Sequence, residues 1–470
     1  MPDFLRLDDP FTGEIALELP LASTAEAMAA VDRAAAAQRE WARVPPEERA
    51  RLVLRFCERL RARADEIAQQ ITGQMGKPVA EARREVETCC QRAEHVASIA
   101  PQVLADERLP EKAGFSRFIA REPVGVVVDV APWNYPLLTA VNVVAPAVLA
   151  GNAVVLKHAS RTPLCAMHFA RAFREAGAPE GLVEPLIAGH EVVAGVLARP
   201  EVGLAALTGS NAAGREVHRR AAERLLPVVL ELGGKDAAYV AEDADVAYAA
   251  ANVVEGAFYN AGQSCCGVKR IYVHRQVYGA FVEAALEAAR AWVPGEPRRE
   301  ETTLGPLAVP EEQARLSRQI ADALAHGARV LCGGGPATVD GKGRFFLPTL
   351  LEGVPHEAPA VQEESFGPLA IVQPVESDDE AVARMNDSRF GLSASVWTRS
   401  ERRATALGRR LEAGTVYMNR CDALDPALPW VGWKASGLGL SLSHLGLAAL
   451  TRPKSFHLRT GHAAPPHQQS

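Results

Sequence analysis

Apolar positions along the chain follow two periods, and the change from one to the other divides it. The first hundred residues are helical in pattern. Ser23 and Glu26 have the three-residue spacing of a capping box. Met28, Val31, Ala35 and Trp41 follow at intervals that place them on one helix face. The start of the chain is therefore read as helical. A second helix is expected from Pro46, because proline suits a first turn, with Val53, Phe56, Leu60, Ile67 and Ile71 on its apolar side. From Val124 onward, short β-branched runs alternate with Ala-rich stretches. Strands are expected at residues 126–130, 153–157, 183–187, 204–208 and 228–232, and a second series at 270–273, 329–331, 370–375, 393–398 and 415–418. Strands alternating with helical segments imply parallel sheets covered by helices, so the chain reads as two α/β domains. Residues 461–470, rich in Pro, His and Gln, are expected to be disordered.

Composition removes several function classes. A net charge of −6 on 470 residues argues against a general nucleic-acid binder. Eight cysteines are too few for a disulfide scaffold, and with no C-x-x-C pair no structural metal is expected. The most apolar stretch, residues 124–156, is interrupted by Asp129, Asn134, Pro136, Asn142, Pro146, Gly151 and Asn152, which leaves no membrane span. Residues 1–9 carry three aspartates and no signal-peptide pattern, so the expected location is cytoplasmic.

Five motifs carry chemistry. In Asn260-Ala-Gly-Gln-Ser-Cys-Cys-Gly267, Gly262 suggests a tight turn that can present a cysteine at a site. An isolated cysteine is more often a small core residue, so its company decides. In Leu230-Glu-Leu-Gly-Gly-Lys-Asp236, Glu231 ends an apolar strand, where ligands of open α/β sheets bind. Burial there raises a carboxyl pKa and suits it to general-base work. In Ala131-Pro-Trp-Asn-Tyr-Pro136, two prolines and two aromatics stiffen a loop whose Asn134 amide can donate to an oxyanion. Gly151-Asn-Ala-Val-Val-Leu-Lys-His-Ala-Ser160 puts Lys157 at a strand end, and Leu207-Thr-Gly-Ser-Asn-Ala-Ala-Gly214 runs from a strand into a helix N-terminus suited to phosphate.

Together, and in this order and spacing, these segments resemble the aldehyde dehydrogenase superfamily. Arg117–Gly125, Glu363-Glu-Ser-Phe-Gly-Pro368, Gly391-Leu392, Gly414–Asn419 and Pro429–Gly437 fit as well, so the resemblance spans nearly the whole chain. It implies an α/β fold with two Rossmann-like domains and a small β oligomerisation arm. The cofactor-binding domain would comprise residues 1–113 and 124–232, the catalytic domain 233–446, and the arm 114–123 with 447–460. The usual Gly-x-Gly-x-x-Gly is absent after the first strand, as in that family's variant fold. The implied partners are a small aldehyde and copies of the chain itself, as a homodimer or homotetramer.

Roles carry over residue by residue. Cys265 matches the nucleophile and Cys266 its variable neighbour. Glu231 matches the general base, and Asn134, with the Cys265 N–H, the oxyanion donors. Trp133, Lys157, Gly209, Ser210, Glu364 and Phe366 match the NAD(P) site. The implied reaction oxidises an aldehyde to an acid through a cysteine thiohemiacetal and a thioester, which glutamate-activated water hydrolyses. A CoA-acylating relative would use the same cysteine but often lacks the glutamate. An inert structural relative would have lost one of the two. A cysteine hydrolase would need a partner histidine.

Substrate and cofactor preference are less determined. By position, Tyr135, Leu138, Asn142, Tyr259, Ser264, Cys266, Leu424 and Trp430 line the substrate tunnel. Asn142 replaces a bulkier residue common in the family, which should widen the tunnel, while Trp430 and Trp433 should narrow its mouth. Met75-Gly-Lys-Pro78 and Leu442-Ser-His-Leu-Gly446 resemble the branch that includes bacterial succinate-semialdehyde dehydrogenases, and are expected to lie outside the tunnel. Arg420 could favour a carboxylate-bearing aldehyde, or could simply pair with Asp422 at the surface. Many NAD-preferring members carry a glutamate where Ser160 stands, which repels the 2′-phosphate of NADP. With Ser160, Lys157 and a protonated His158 nearby, NADP is expected to be accepted.

Overall fold

The computed structural model describes residues 3–461. Both expected sheets are present, parallel except for one antiparallel edge strand each. The first has the strand order Gly437–Leu438, Val228–Glu231, Val202–Thr208, Val126–Ala131, Ala153–His158, Val183–Pro185. The second runs Arg329–Cys332, Thr349–Glu352, Leu369–Val375, Val268–His274, Asp236–Val240, Ser393–Trp397, Thr415–Met418. Val127, Val154, Val155 and Leu204 sit in one core shared with the N-terminal helices, and Ala238, Val253, Ile271 and Trp397 in another. Continuous apolar runs are what strands covered on both faces require.

Four expectations need correction. The chain starts as a hairpin, with Phe4–Asp8 antiparallel to Ile15–Pro20, before helix Thr24–Trp41 and its capping box. The hairpin is exposed and polar on one side, so no helical or core pattern marks it. The single helix expected from Pro46 is two, Pro46–Arg61 and Ala64–Met75. Ile67 and Ile71 belong to the second, which ends on Gly76 at φ +81. Strand Asp236–Val240 was not foreseen, because Asp-Ala-Ala-Tyr-Val has weak strand propensity and depends on the two parallel strands flanking it. Finally, Gly437–Leu438 pairs with the strand carrying Glu231, and Leu447 packs in the first core. The expectation places Gly437–Leu438 in the catalytic domain and Leu447 in the arm. The two stretches expected to form an arm, Phe115–Pro123 and Thr451–Arg459, pair antiparallel over their full length. Apart from Gly461, the expected disordered tail lies outside the described residues. Among those residues no helix is long and apolar enough to cross a membrane, and no cluster of metal-binding side chains occurs.

One buried ion pair ties the N-terminal helical layer to the start of helix Pro136–Leu149. Lys77 follows helix Ala64–Met75, and Glu85 lies on helix Val79–Val103. Their side chains form an ion pair that is 1% and 2% exposed. Glu85 Oε1 also accepts hydrogen bonds from the Leu137 and Leu138 N–H groups, at 2.9 and 3.3 Å, in the first turn of helix Pro136–Leu149. That turn has no side-chain cap of its own, so Glu85 satisfies two of its otherwise unpaired donors. Glu85→Ala should leave a buried ammonium without its partner. Denaturant unfolding should show a loss of roughly 3–5 kcal/mol; a loss under 1 kcal/mol would mean the pair is dispensable.

Candidate active site

The chain meets itself at a turn that L-residues avoid. Asn260, Ala261 and Gly262 adopt φ of +53, +52 and +66 in succession. Such conformations cost about 1–2 kcal/mol per non-glycine residue and persist only where the surroundings impose them. A Cβ on Gly262 would collide with the Gly367 carbonyl oxygen. The Lys269 ammonium, fully enclosed, donates to Gly262 O at 2.9 Å, Gly367 O at 2.7 Å and Ala257 O at 3.4 Å. Burial lowers its pKa to about 8. Gln263 completes the brace: its Nε2 donates to Asn260 O, and its Oε1 accepts from Ala308 N.

This brace presents Cys265 to a cavity of about 460 Å³, which the adjacent Cys266 and Glu231 also line. The two cysteines are not equivalent. Cys265 is partly exposed, whereas Cys266 is buried. The Cys266 thiol donates to Asp422 Oδ1 at 2.8 Å. Its pKa is pushed well up by its bond to Cys265, by burial and by the Asp422 charge. Glu231 is 7% exposed. Burial raises its pKa to about 8, opposed by the Ser441 hydroxyl, which donates to its Oε1 at 3.2 Å. Its other oxygen has no partner among the described residues. Asn134 is buried beside the turn. Its Nδ2 donates to Gln263 O at 3.1 Å, and its carbonyl accepts from Asn260 Nδ2 at 3.0 Å.

A second group of sequence-named residues gathers around the ends of strands Ala153–His158 and Val202–Thr208. Lys157 is buried with its pKa lowered by desolvation, and it has no hydrogen-bond or ion-pair partner among the described residues. Ser210 caps helix Asn211–Ala222 through Ala213 N at 3.2 Å, directly after Gly209. Glu364 Oε1 accepts from Gly234 N at 3.2 Å, and a Cβ on Gly233 would lie 2.6 Å from that oxygen. Trp133 and Phe366 meet edge to face at 5.3 Å. An unpaired buried ammonium, a capped helix N-terminus, a carboxylate and two aromatic faces suit a dinucleotide: charge for its phosphates, an acceptor for its ribose, apolar walls for its rings. Ser160, three residues after Lys157, is exposed. The protonated His158 suggested above is ruled out. Its ring is buried against Pro136 O at 2.8 Å, and its pKa falls to about 4. Neighbouring Arg161 is committed to Asp8.

Of the tunnel residues, Tyr135, Leu138, Asn142, Tyr259, Cys266, Leu424 and Trp430 line the cavity. Ser264 does not; its hydroxyl is turned to Asp422 Oδ1 at 3.2 Å. Trp433 is also not on the cavity wall and is 48% exposed. Lys77, assigned from sequence to a region outside the tunnel, is on its wall, with Nζ 4.2 Å from the Tyr135 ring centroid. Beside Asn142 stands Arg92, whose guanidinium donates to the Asn142 Oδ1 at 3.2 Å and also lines the cavity. Arg420 is exposed on the cavity rim and forms no ion pair with Asp422, whose carboxylate serves Ser264 and Cys266. Burial raises the Asp422 pKa to about 6. Sequence reasoning missed Lys269, Ser441, Glu85 and Arg92. Each acts across more than 50 positions or between helices, where no local motif marks it.

Comparisons with known proteins agree with this geometry. The family model described as the aldehyde dehydrogenase family matches residues 3–456. A Synechocystis protein named probable succinate-semialdehyde dehydrogenase (NADP(+)) is 36% identical over 447 residues, covering 95% of this chain and 98% of that protein. The Escherichia coli K12 succinate semialdehyde dehydrogenase (NAD(P)+) is 37% identical, covering 93% of this chain and 94% of that one. The crystal structure of an NAD-dependent aldehyde dehydrogenase from Sinorhizobium meliloti superposes with a TM-score of 0.95 at 32% identity, over 99% of this chain and 93% of that one. The chain belongs to the aldehyde dehydrogenase family and is an NAD(P)-dependent oxidoreductase acting on aldehydes.

Proposed function

We propose that Cys265 and Glu231, which line the 460 Å³ cavity, perform this oxidation with Asn134, buried beside the cysteine turn, and that the substrate is an aldehyde bearing a second, anionic carboxylate. The observation that carries the catalytic assignment is that a partly exposed thiol and a buried carboxyl line one cavity. Cys265 attacks the aldehyde carbon as a thiolate. The oxyanion of the thiohemiacetal is held by its own N–H and by the second amide hydrogen of Asn134, the first being bound to Gln263 O. Trp133, Lys157, Ser160, Gly209, Ser210, Glu364 and Phe366 hold NAD(P), which when bound accepts the hydride. Glu231 then takes a proton from water as that water attacks the thioester, and the acid leaves. Acyl release to CoA is not favoured: the chain keeps a buried glutamate at the wall, and the relatives are named as dehydrogenases. The acid-bearing substrate is supported by the succinate-semialdehyde names of those relatives and by Arg84, Arg92 and Arg420 on the cavity wall. In domain terms, the six-stranded unit serves the cofactor and the seven-stranded unit the catalytic loop. The three-stranded arm joins copies of the chain.

Cys265→Ala should abolish NAD(P)H production while leaving cofactor binding, measured by fluorescence titration. Cys266→Ala should retain substantial turnover. Swapped phenotypes would reassign the nucleophile.

Because Glu231 acts as a base only when ionised, and its pKa is about 8, turnover limited by thioester hydrolysis should rise with pH through that value. Glu231→Gln should flatten this rise and cripple steady-state turnover, yet leave a burst of NAD(P)H in rapid mixing. Full steady-state activity in the variant would remove the role.

Ser160→Glu should cut kcat/KM for NADP roughly 10–100-fold, by placing a like charge beside the 2′-phosphate, with less effect on NAD. Equal damage to both cofactors would show that Ser160 does not discriminate.

A further inference from the structure

Arg92 is a buried cation with spare donors facing the substrate cavity. It projects from helix Val79–Val103, is 9% exposed, and lines the cavity wall formed with helix Pro136–Leu149. Only Nη1 is engaged, donating to Leu138 O and to Asn142 Oδ1, both at 3.2 Å. Nε is buried without a partner, Nη2 makes no hydrogen bond, and no carboxylate lies within ion-pair distance among the described residues. Of the glutamates on the same helix, Glu85 already serves Lys77 and two N–H groups, and Glu87 and Glu94 are paired with Arg61. A buried guanidinium without a counter-ion is costly, and its fork of donors matches a planar carboxylate. Asp422 also lines the cavity, and its carboxylate is already bound to Ser264 and Cys266 beside Cys265. A substrate whose aldehyde reaches Cys265 and which carries a second, anionic group finds Arg92 in the same cavity lining with donors unused.

We propose that Arg92 recognises the carboxylate of the substrate and so sets specificity, with Asn142 holding the guanidinium in place; this rests on the acid-bearing substrate reading above. Arg420 and Arg84, both exposed at the rim, contribute to approach and less to discrimination, because solvent screens exposed charges.

The test compares kcat/KM for succinate semialdehyde and for butanal, a neutral aldehyde of the same carbon count, with NADP and the full-length enzyme. The native enzyme should strongly prefer the acid. In Arg92→Gln that preference should fall on the order of 100-fold, chiefly through KM for the acid, as expected for a lost buried charge-assisted contact. Arg92→Lys keeps the charge but loses the fork. It should reduce the preference about 10-fold, and it decides the matter if Arg92→Gln does not fold. Parallel loss toward both aldehydes in these variants would make Arg92 structural and overturn the proposal. So would an unchanged preference in the Arg92 variants, most tellingly if Arg420→Ala abolishes it. A native enzyme indifferent to the carboxylate would instead overturn the acid-bearing substrate reading itself, and Arg92's role with it.

Discussion

The site depends on a buried ammonium holding two backbone loops together. Lys269 donates to Gly262 O in the cysteine turn and to Gly367 O in the loop after Glu364. Three consecutive left-handed residues are unfavourable in isolation, and so is an enclosed ammonium. Each offsets the other: the turn aims carbonyl oxygens inward, and the ammonium needs them. Charge-assisted bonds of this kind are roughly twice as strong as neutral ones. The hydrogen-bond partners of Lys269 are carbonyl oxygens, so backbone dipoles, not an ion pair, hold the ammonium in place. The same contact ties the cysteine turn to the loop that bears Glu364 and Phe366, two of the groups proposed to hold the cofactor.

Burial then divides labour between chemically similar groups. Two adjacent cysteines differ because one is partly exposed and the other is enclosed and bonded to a carboxylate. Two cavity carboxyls differ as well. Glu231 has one weak partner, Ser441, and its pKa rises to about 8; Asp422 has two partners and rises to about 6. Near neutral pH, Asp422 is the more ionised of the pair and keeps the Cys266 thiol protonated. Glu231 retains the basicity that abstracting a proton from water requires. Residue type alone would not separate these roles.

What the sequence made legible follows from what is local. The strands Val126–Ala131, Ala153–His158 and Val202–Thr208 announce themselves because strands buried on both faces are continuously apolar. The cysteine, glutamate and asparagine motifs are each compressed into fewer than ten residues. The failures share the opposite property. Asp236–Val240 is a strand by virtue of its neighbours, and the N-terminal hairpin is held by Asp8, which bridges Arg161 and Arg344 from distant parts of the chain. Lys77 looked like a mark of kinship because its partners, Glu85 and the Tyr135 ring, come together only when three helical segments pack. Arg92 was not visible as the neighbour of Asn142, because it stands fifty positions earlier.

Helix Val79–Val103 therefore does more than cover the sheet. Glu85 and Arg92 are seven residues apart, two turns of an α-helix, and so share the face turned toward helix Pro136–Leu149. Glu85 grips the start of that second helix at Leu137 and Leu138; Arg92 grips it one turn later at Leu138 O and Asn142. Asn134 lies two residues before the first turn. On the proposed reading, the carboxylate on this helix face anchors the helix that Asn134 precedes, and the guanidinium on the same face supplies the counter-charge to the substrate. Two groups carried on one helix keep their separation more firmly than groups on a loop could, so a shift of one turn in this packing would move both together.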